Sequence, residues 1–291
     1  MKLLIGSFAK LIALVVANLP RRAQLALGRF VGWLWFDVLK IRRRIAIDNV
    51  GIAFPELSEK ERTQIARDSL TSMGQTLIEY FLFPFLNERR ARELFELEGE
   101  EYLKEALKEK KGAILMTLHL GNGDLAVAAL SRLGYPMQLI SKEFKSRWLN
   151  DLWFGMRRKH GTRFIAPEKS SFEILRALRR NELVVFVLDQ FMGPPIGVRT
   201  RFFGKETGTA MGCALMADRT HSPVVPCYTY RKEDGRHVMV FEKPIEFLDH
   251  GLRDQNIAVM TQIYTDKIEA IVRKHPGQWM WIHRRWKEFR E

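Results

Sequence analysis

The chain has 291 residues, 46% of them apolar and 28% charged, with 47 Lys and Arg against 34 Asp and Glu, a formal charge of +13. This size and composition admit one large domain or two modest ones and exclude the disordered, collagen-like and polytopic membrane classes. Cys213 and Cys227 are the only cysteines, which excludes a disulfide-stapled scaffold and a cysteine zinc site and points to a reducing compartment, while the positive surplus asks for a polyanionic neighbour: nucleic acid, anionic lipid or a phosphorylated substrate.

In chain order, Leu3 to Leu19 is apolar except for Ser7, Lys10 and Asn18, Pro20-Arg21-Arg22 interrupts, and a second apolar stretch carries Phe30, Trp33, Leu34, Trp35 and Phe36. Both runs fall short of the roughly 20 uninterrupted apolar residues a membrane span requires. Flanked by Arg29, Lys40 and Arg42 to Arg44, they suit a helical hairpin lying in the membrane interface, with tryptophans at headgroup depth. A cleaved secretory signal and a buried helix pair of a soluble protein are the alternatives. Next, Ser58-Glu59-Lys60-Glu61 is a capping box opening a helix toward Tyr80.

Strands and helices then alternate. Residues 112–118, 137–141, 162–166 and 182–188 are short apolar runs separated by helix-length segments around 125–133, 146–159 and 170–180, the rhythm of a buried parallel sheet. Residues 223–231 and 237–247 flank the turn-prone Glu233-Asp234-Gly235 and read as an antiparallel pair, while Thr207 to Ala210 reads as the start of a helix whose N-terminus could hold a phosphate. The fold class is therefore α/β, a mixed, largely parallel central sheet flanked by helices. An N-terminal membrane-associating helical extension over residues 1–45 precedes an α/β domain over 46–291.

Thr117 to Ala126 (TLHLGNGDLA) closes the first buried strand and leads into a helix, the place where open α/β sheets bind ligands. His119 and Asp124 form H-x4-D, and a sharp turn would let the carboxylate meet one imidazole nitrogen and leave the other as a general base. Gly121 and Gly123 leave room for substrate, and free N–H groups of the new helix could steady developing negative charge. The same letters satisfy G-x-G-x-x-A at Gly121, Gly123 and Ala126, with Glu143 about twenty residues on, so an NAD(P)-dependent oxidoreductase is a second reading. A nucleic-acid-binding protein is a third, on charge and on Trp279, Trp281 and Trp286, but no helix-turn-helix, zinc or RNP-type pattern accompanies them. The seven histidines show no H-x3-H or H-E-x-x-H spacing, so no metal is expected.

Nearly end to end, the chain resembles the bacterial lipid A biosynthesis acyltransferases, the lauroyl and myristoyl transferases of the lysophospholipid acyltransferase superfamily. The resemblance rests on Arg44, Asn49 and Phe54-Pro55-Glu56, on Glu79, on LHLGNGD at 118–124, on Arg157 before Gly161, and on LDQ at 188–190. It continues through Phe203-Gly204, Thr207 to Ala210, Arg219-Thr220 with Pro223 to Pro226, and the tail from Pro276 to Lys287. Many relatives have a bulky aromatic where Gly123 stands and Glu where Asp124 stands. The resemblance implies transfer of a fatty acyl group from an acyl carrier protein thioester, or acyl-CoA, to a hydroxyl of a phosphorylated membrane glycolipid, a lipid A precursor. Other superfamily members acylate lysophospholipids, aminolipids or mannosylated inositol lipids. It implies His119 as base, Asp124 orienting it, Asp189 bordering the same cleft, and no covalent acyl-enzyme. Arg157, with Arg158 one position away, Asn122, Gly121, Gln190 and Arg201 become candidates for substrate binding, with Arg157 holding a phosphate or supporting the oxyanion. No cofactor, metal or nucleic acid is implied. The expected location is the cytoplasmic face of the bacterial inner membrane, where Arg42 to Arg44, Arg199, Arg201 and Arg284 to Lys287 could meet anionic partners. Candidates for the end of an acyl channel are Met116, Phe144, Trp148, Trp153 and Phe154.

Overall fold

The computed structural model describes residues 2–141, 146–166 and 170–290. The chain opens with α1 (Lys2–Asn18) and α2 (Arg21–Trp33), separated by Pro20, then a π-helical turn over Leu34–Leu39, α3 (Arg43–Ala53) and α4 (Glu59–Glu79). The capping box at the start of α4 forms: the Glu61 N–H donates to Ser58 Oγ, and the Ser58 N–H donates to Glu61 Oε2 at 2.8 Å. α2 lies directly on α4 because both carry glycine at the crossing. A Cβ on Gly28 would fall 2.5 Å from Gln75 Cα, and one on Gly74 would fall 2.5 Å from the Gly28 carbonyl oxygen. The N-terminal helices thus bury one face, through Leu25, Gly28 and Gly32, and leave Leu27, Phe30 and Trp33 exposed on the other. Among the described residues no helix is long and apolar enough to cross a membrane.

After a 3₁₀ stretch over Tyr80–Phe85 come α5 (Glu88–Leu94), β1 (Phe95–Glu98), α6 (Glu100–Lys108), β2 (Ala113–Thr117), α7 (Gly123–Arg132), β3 (Met137–Ile140), α8 (Arg147–Arg158), β4 (Arg163–Ile165), α9 (Ser170–Arg179) and β5 (Leu183–Val187). The remainder comprises β6 (Gly197–Phe202), β7 (Lys205–Ala210), α10 (Gly212–Thr220), β8 (Val224–Arg231), β9 (His237–Phe241), α11 (Arg253–Lys274) and a 3₁₀ turn at Pro276–Gln278. One seven-stranded sheet has the order β1-β9-β8-β2-β5-β3-β4. Strands β8, β2, β5, β3 and β4 run parallel, and the reversal comes at the antiparallel β8–β9 pair, with β1 parallel to β9. Helices cover both faces, so alternate residues of one strand enter different cores. Ile114 and Met116 pack with residues of α4 and α11, whereas Ala113 and Leu115 pack with α7. Burial on both sides explains why these strands read as unbroken apolar runs.

Thr207 to Ala210 does not begin a helix. It ends β7, which pairs antiparallel with β6 as a two-stranded hairpin, and the helix begins at Gly212. Phe203 and Gly204 both take positive φ, 52° and 69°, the backbone a two-residue hairpin turn requires. Thr207 and Thr209 then point inward, and Thr209 Oγ1 lies 2.7 Å from Thr200 Oγ1. The helix N-terminus expected there for a phosphate is absent.

Candidate active site

Register between two neighbouring strands assembles the site. Thr117 of β2 pairs with Val187 of β5. His119 and Asp189 each stand two residues beyond that pair, so the parallel alignment delivers them side by side. The imidazole Nδ1 lies 2.8 Å from Asp189 Oδ1, and the His119 backbone N–H donates to Asp189 Oδ2 at 2.9 Å. The Trp279 indole N–H donates to that same Oδ2 at 2.7 Å. With one ring nitrogen engaged, Nε2 is left to face outward, and the His119 side chain retains 40% of its exposure against 2% for Asp189. The C-terminal tail secures this loop through its backbone: the Met280 N–H donates to the His119 carbonyl at 3.2 Å, and the Gly121 N–H donates to the Gln278 carbonyl at 3.2 Å.

The charges reinforce the arrangement. Burial opposes ionisation of Asp189, but the facing imidazole and the N–H donors of His119 and Trp279 outweigh it and hold the carboxyl at about 2. Burial likewise opposes protonation of His119. The Asp189 carboxylate outweighs it, with a smaller contribution from Asp124, and raises the imidazole above its ordinary 6.5.

Asp124 does not orient the imidazole, contrary to the expectation from H-x4-D. At the second position of α7 its side chain turns away, accepting from the Tyr80 hydroxyl at 2.8 Å and from Arg157 Nε at 3.2 Å, with Arg157 Nη2 ion-paired to it at 2.7 Å. The start of α7 sets this direction, since Asn122 caps the helix by accepting from the Leu125 N–H at 3.0 Å. Arg157 is buried, spends its guanidinium on Asp124, and lies 5.5 Å from the Phe83 ring centre; the neighbouring Arg158 is exposed. Asn122, expected to touch substrate, is buried, and its amide donates to Glu79 Oε2 at 2.9 Å. Gly121 takes φ +57°, with its α-carbon against the Thr229 carbonyl, where a side chain would collide.

Glu79 is a hub that the sequence marks only as one matching residue. Besides Asn122, its carboxylate accepts from Arg231 Nη2 at 2.7 Å, Arg21 Nη2 at 2.5 Å and His237 Nε2 at 3.0 Å. Burial opposes its charge, yet His237 and Arg231 outweigh burial and hold its pKa well below the carboxylate range. Through Arg21 this carboxylate joins α2 to the turn that carries His119.

Two other expectations fail on position. Arg201 is exposed on β6, where its backbone exchanges hydrogen bonds with the Gln262 side chain of α11, and it does not border the cavity beside His119. Arg285 is buried, donating to the Gln190 and Gly208 carbonyls and to Thr209 Oγ1 at 2.6 Å. It serves the loop after Asp189 and is not a surface charge. Gln190 is held through that carbonyl, at 3.0 Å from Arg285 Nη1. Tyr80 carries no sequence signal beyond closing the capped helix, and Trp279 stands in the matching tail without a mark of its bond to Asp189.

His119 and Asp124 open on a cavity of about 380 Å³ between α7 and one face of the sheet, within the size range of small-ligand pockets. Its lining includes Trp35, Met73 and Leu77 and is predominantly apolar, with a few polar groups such as Thr117, Asn122 and Thr229. Met116, a sequence candidate for the channel end, faces the opposite core, and Phe154 does not border the cavity; Phe144 and the side chains of Trp148 and Trp153 lie outside what is described. The dinucleotide reading fits this site poorly: a pyrophosphate at the start of α7 would meet the Asp124 carboxylate. Glu143, its proposed ribose partner, lies outside the described residues. Among the described residues no cluster of His, Cys, Asp and Glu could hold a metal ion.

Residues 3–288 match the family described as bacterial lipid A biosynthesis acyltransferase. Among curated proteins, the chain is 27% identical over 277 residues to the lipid A biosynthesis lauroyltransferase of Escherichia coli K12, covering 94% of this chain and 88% of that protein. It is 29% identical over 270 residues to a lipid A biosynthesis acyltransferase of Haemophilus influenzae, covering 90% and 83%. It is also 27% identical over 223 residues to the phosphatidylinositol mannoside acyltransferase of Mycobacterium tuberculosis, covering 75% and 69%.

Proposed function

This chain belongs to the bacterial lipid A biosynthesis acyltransferase family and is an O-acyltransferase, and on that premise we propose that it moves a fatty acyl group from an acyl carrier protein thioester to a hydroxyl of a lipid A precursor. The observation that carries this reading is the His119–Asp189 pair at the mouth of an apolar cavity, with Nε2 left open. His119 Nε2 takes the proton of the acceptor hydroxyl while that oxygen bonds to the thioester carbonyl carbon. Asp189 keeps the proton of the neutral ring on Nδ1 and stabilises the imidazolium that forms. The C–S bond then breaks, and the departing sulfur receives the proton from His119. Direct transfer is supported by the ring having no serine or cysteine partner among the described residues; the buried Cys227 thiol is pushed up to about 12. Asp124, tied to Tyr80 and Arg157, sets the local charge and shape beside the acceptor.

The protein works peripherally at the cytoplasmic face of the inner membrane. Supporting this, the apolar side chains of Phe30, Trp33, Leu39, Ile41 and Leu77 are exposed, and Leu77 also borders the cavity mouth. The test is to mix purified protein, carrier-protein thioesters and a panel of lipid acceptors, including lipid A precursors and lysophospholipids, and to identify products by mass spectrometry. Acylation of a lipid A precursor that disappears in His119→Ala is the expected result. Acylation of a lysophospholipid alone, or full turnover by His119→Ala, would refute the proposal.

A further inference from the structure

The tail that follows α11 reaches past the His119–Asp189 pair to the peptide unit between Gln190 and Phe191, directly after Asp189. The carbonyl of that unit accepts from Arg285 Nη1 at 3.0 Å, and its N–H donates to His283 Nε2 at 3.3 Å. Two neighbouring tail residues thus grip the two ends of one amide. The grip is itself anchored. Arg285 is buried and also donates to the Gly208 carbonyl and Thr209 Oγ1 of β7. These neutral acceptors compensate its charge only in part; burial pushes its pKa down to about 10, opposed by the Asp189 carboxylate. From the other side, the Asn49 amide of α3 donates to the Trp281 and His283 carbonyls, each at 2.7 Å, and Arg42 donates to the Ile282 carbonyl at 3.2 Å. To accept at Nε2, the half-buried His283 ring must be neutral, with its proton on Nδ1. Its surroundings favour that state. Burial opposes protonation, the Asp189 carboxylate favours it, and the charges of His119, Lys287 and Arg285 add to the opposition, so the imidazole is held below its ordinary 6.5.

We propose that His283 is a positioning residue for the reaction: by accepting the Phe191 N–H, opposite the Arg285 grip, it fixes the peptide after Asp189 and so the place from which Asp189 orients His119. The inference rests on the acyl-transfer reading above. Freedom in this peptide passes through one residue to the Asp189 backbone, and a misplacement of about 1 Å costs on the order of 10²-fold in rate. A protonated His283 ring would turn a second donor toward the Phe191 N–H and release it, so the neutral ring is the one that holds the loop.

The experiment compares His283→Leu, which keeps the bulk and loses the acceptor, with His283→Gln, whose amide oxygen reaches the place of Nε2. Full-length protein is assayed for kcat and KM with an acyl carrier protein thioester and a lipid A precursor, and the His119 ring is followed by ¹⁵N NMR across pH. His283→Leu should lower kcat by about 10²-fold with both KM values unchanged. It should also lower the His119 titration midpoint, because a displaced Asp189 supports the imidazolium less. His283→Gln should restore most of both. A role in folding alone would reduce the amount of folded protein and leave the midpoint of the folded fraction in place. Parent values in His283→Leu, a loss confined to KM, or a His283→Gln variant as impaired as His283→Leu would each overturn the assignment. So would a His283 ring protonated on Nε2 at neutral pH in the unsubstituted protein, a result that needs no variant to fold. Transfer of no acyl group by the unsubstituted protein would instead overturn the reading beneath it, and the ring measurements would still judge His283.

Discussion

Replacing Asp189 by Asn separates the two carboxylates that the sequence places near His119. The backbone N–H of His119 and the indole N–H of Trp279 both point at Oδ2, at 2.9 and 2.7 Å. In Asp189→Asn they will hold the new amide oxygen at that place, which turns the amide NH₂ toward Nδ1. An imidazole facing an N–H donor must carry its own proton on Nε2, the wrong tautomer for a base. The expected loss in kcat is about 10³–10⁴-fold, the scale on which a misdirected tautomer acts in histidine-based acyl transfer, or about 4–5.5 kcal/mol of barrier at 1.36 kcal/mol per decade. Two of the three hydrogen bonds persist, so the fold should survive. The assay is the pH dependence of kcat/KM with one thioester and one acceptor. With His119 as the proposed base, activity of the unsubstituted enzyme should rise as the neutral ring forms, and its acid limb should lie above pH 6.5 because Asp189 raises the imidazole. Asp189→Asn should lower the limb's midpoint as well as the plateau. Asp124→Asn should move the midpoint less, because its effect on the ring is the smaller one. If Asp189→Asn retained activity within ten-fold of the parent while Asp124→Asn moved the limb further, the assignment of the orienting carboxylate would be wrong.

Glu79→Ala should cost about 3–5 kcal/mol of stability, because it strands the buried Arg231 guanidinium, and a denaturant titration would read this as a lower midpoint; an unchanged midpoint would contradict the hub. Asp189 and Glu79 both have depressed folded-state pKa values, so each contributes stability above its ordinary 3.8 or 4.5. That contribution should be lost as pH falls toward the folded values, and acid unfolding monitored by circular dichroism should be shallower in Asp189→Asn. Phe30→Ser with Trp33→Ser should reduce sedimentation with anionic vesicles, since both side chains are exposed; equal sedimentation would locate the membrane contact elsewhere. Gly74→Val should destabilise the protein sharply, because its side chain would enter the Gly28 and Gly32 backbone, and a thermal melt indistinguishable from the parent's would contradict the close α2–α4 crossing.

Much of the fold is legible because local chemistry and tertiary demand agree. Ser58 and Glu61 mark the start of α4 as a capping box must, and the apolar runs of β2 and β5 mark strands buried on both faces. The β6–β7 hairpin is misread because Thr-Gly-Thr-Ala resembles a helix cap, while its decisive signal, the tight turn at Phe203-Gly204, stands upstream. At the site, sequence proximity points to Asp124 as the partner of His119. Spatial proximity belongs to Asp189, 70 residues away, and the clue is an equal offset of one residue past the ends of two apolar runs. That clue acquires force only once β2 and β5 are known to be parallel neighbours in register. Asn122 and Arg157 look like substrate ligands in sequence because polar residues near a catalytic loop invite that reading. Both are buried, with the Asn122 amide bonded to Glu79 and the Arg157 guanidinium paired with Asp124, although Asn122 still borders the cavity.

The state of the His119 ring tests the proposed base directly. Protein labelled with ¹⁵N-histidine, with His119→Gln used to assign the resonance, should show a neutral ring protonated on Nδ1 and a titration midpoint above 6.5. In Asp189→Asn the proton should move to Nε2 and the midpoint should fall. A ring protonated on Nε2 in the unsubstituted protein, or a midpoint indifferent to Asp189, would contradict the account.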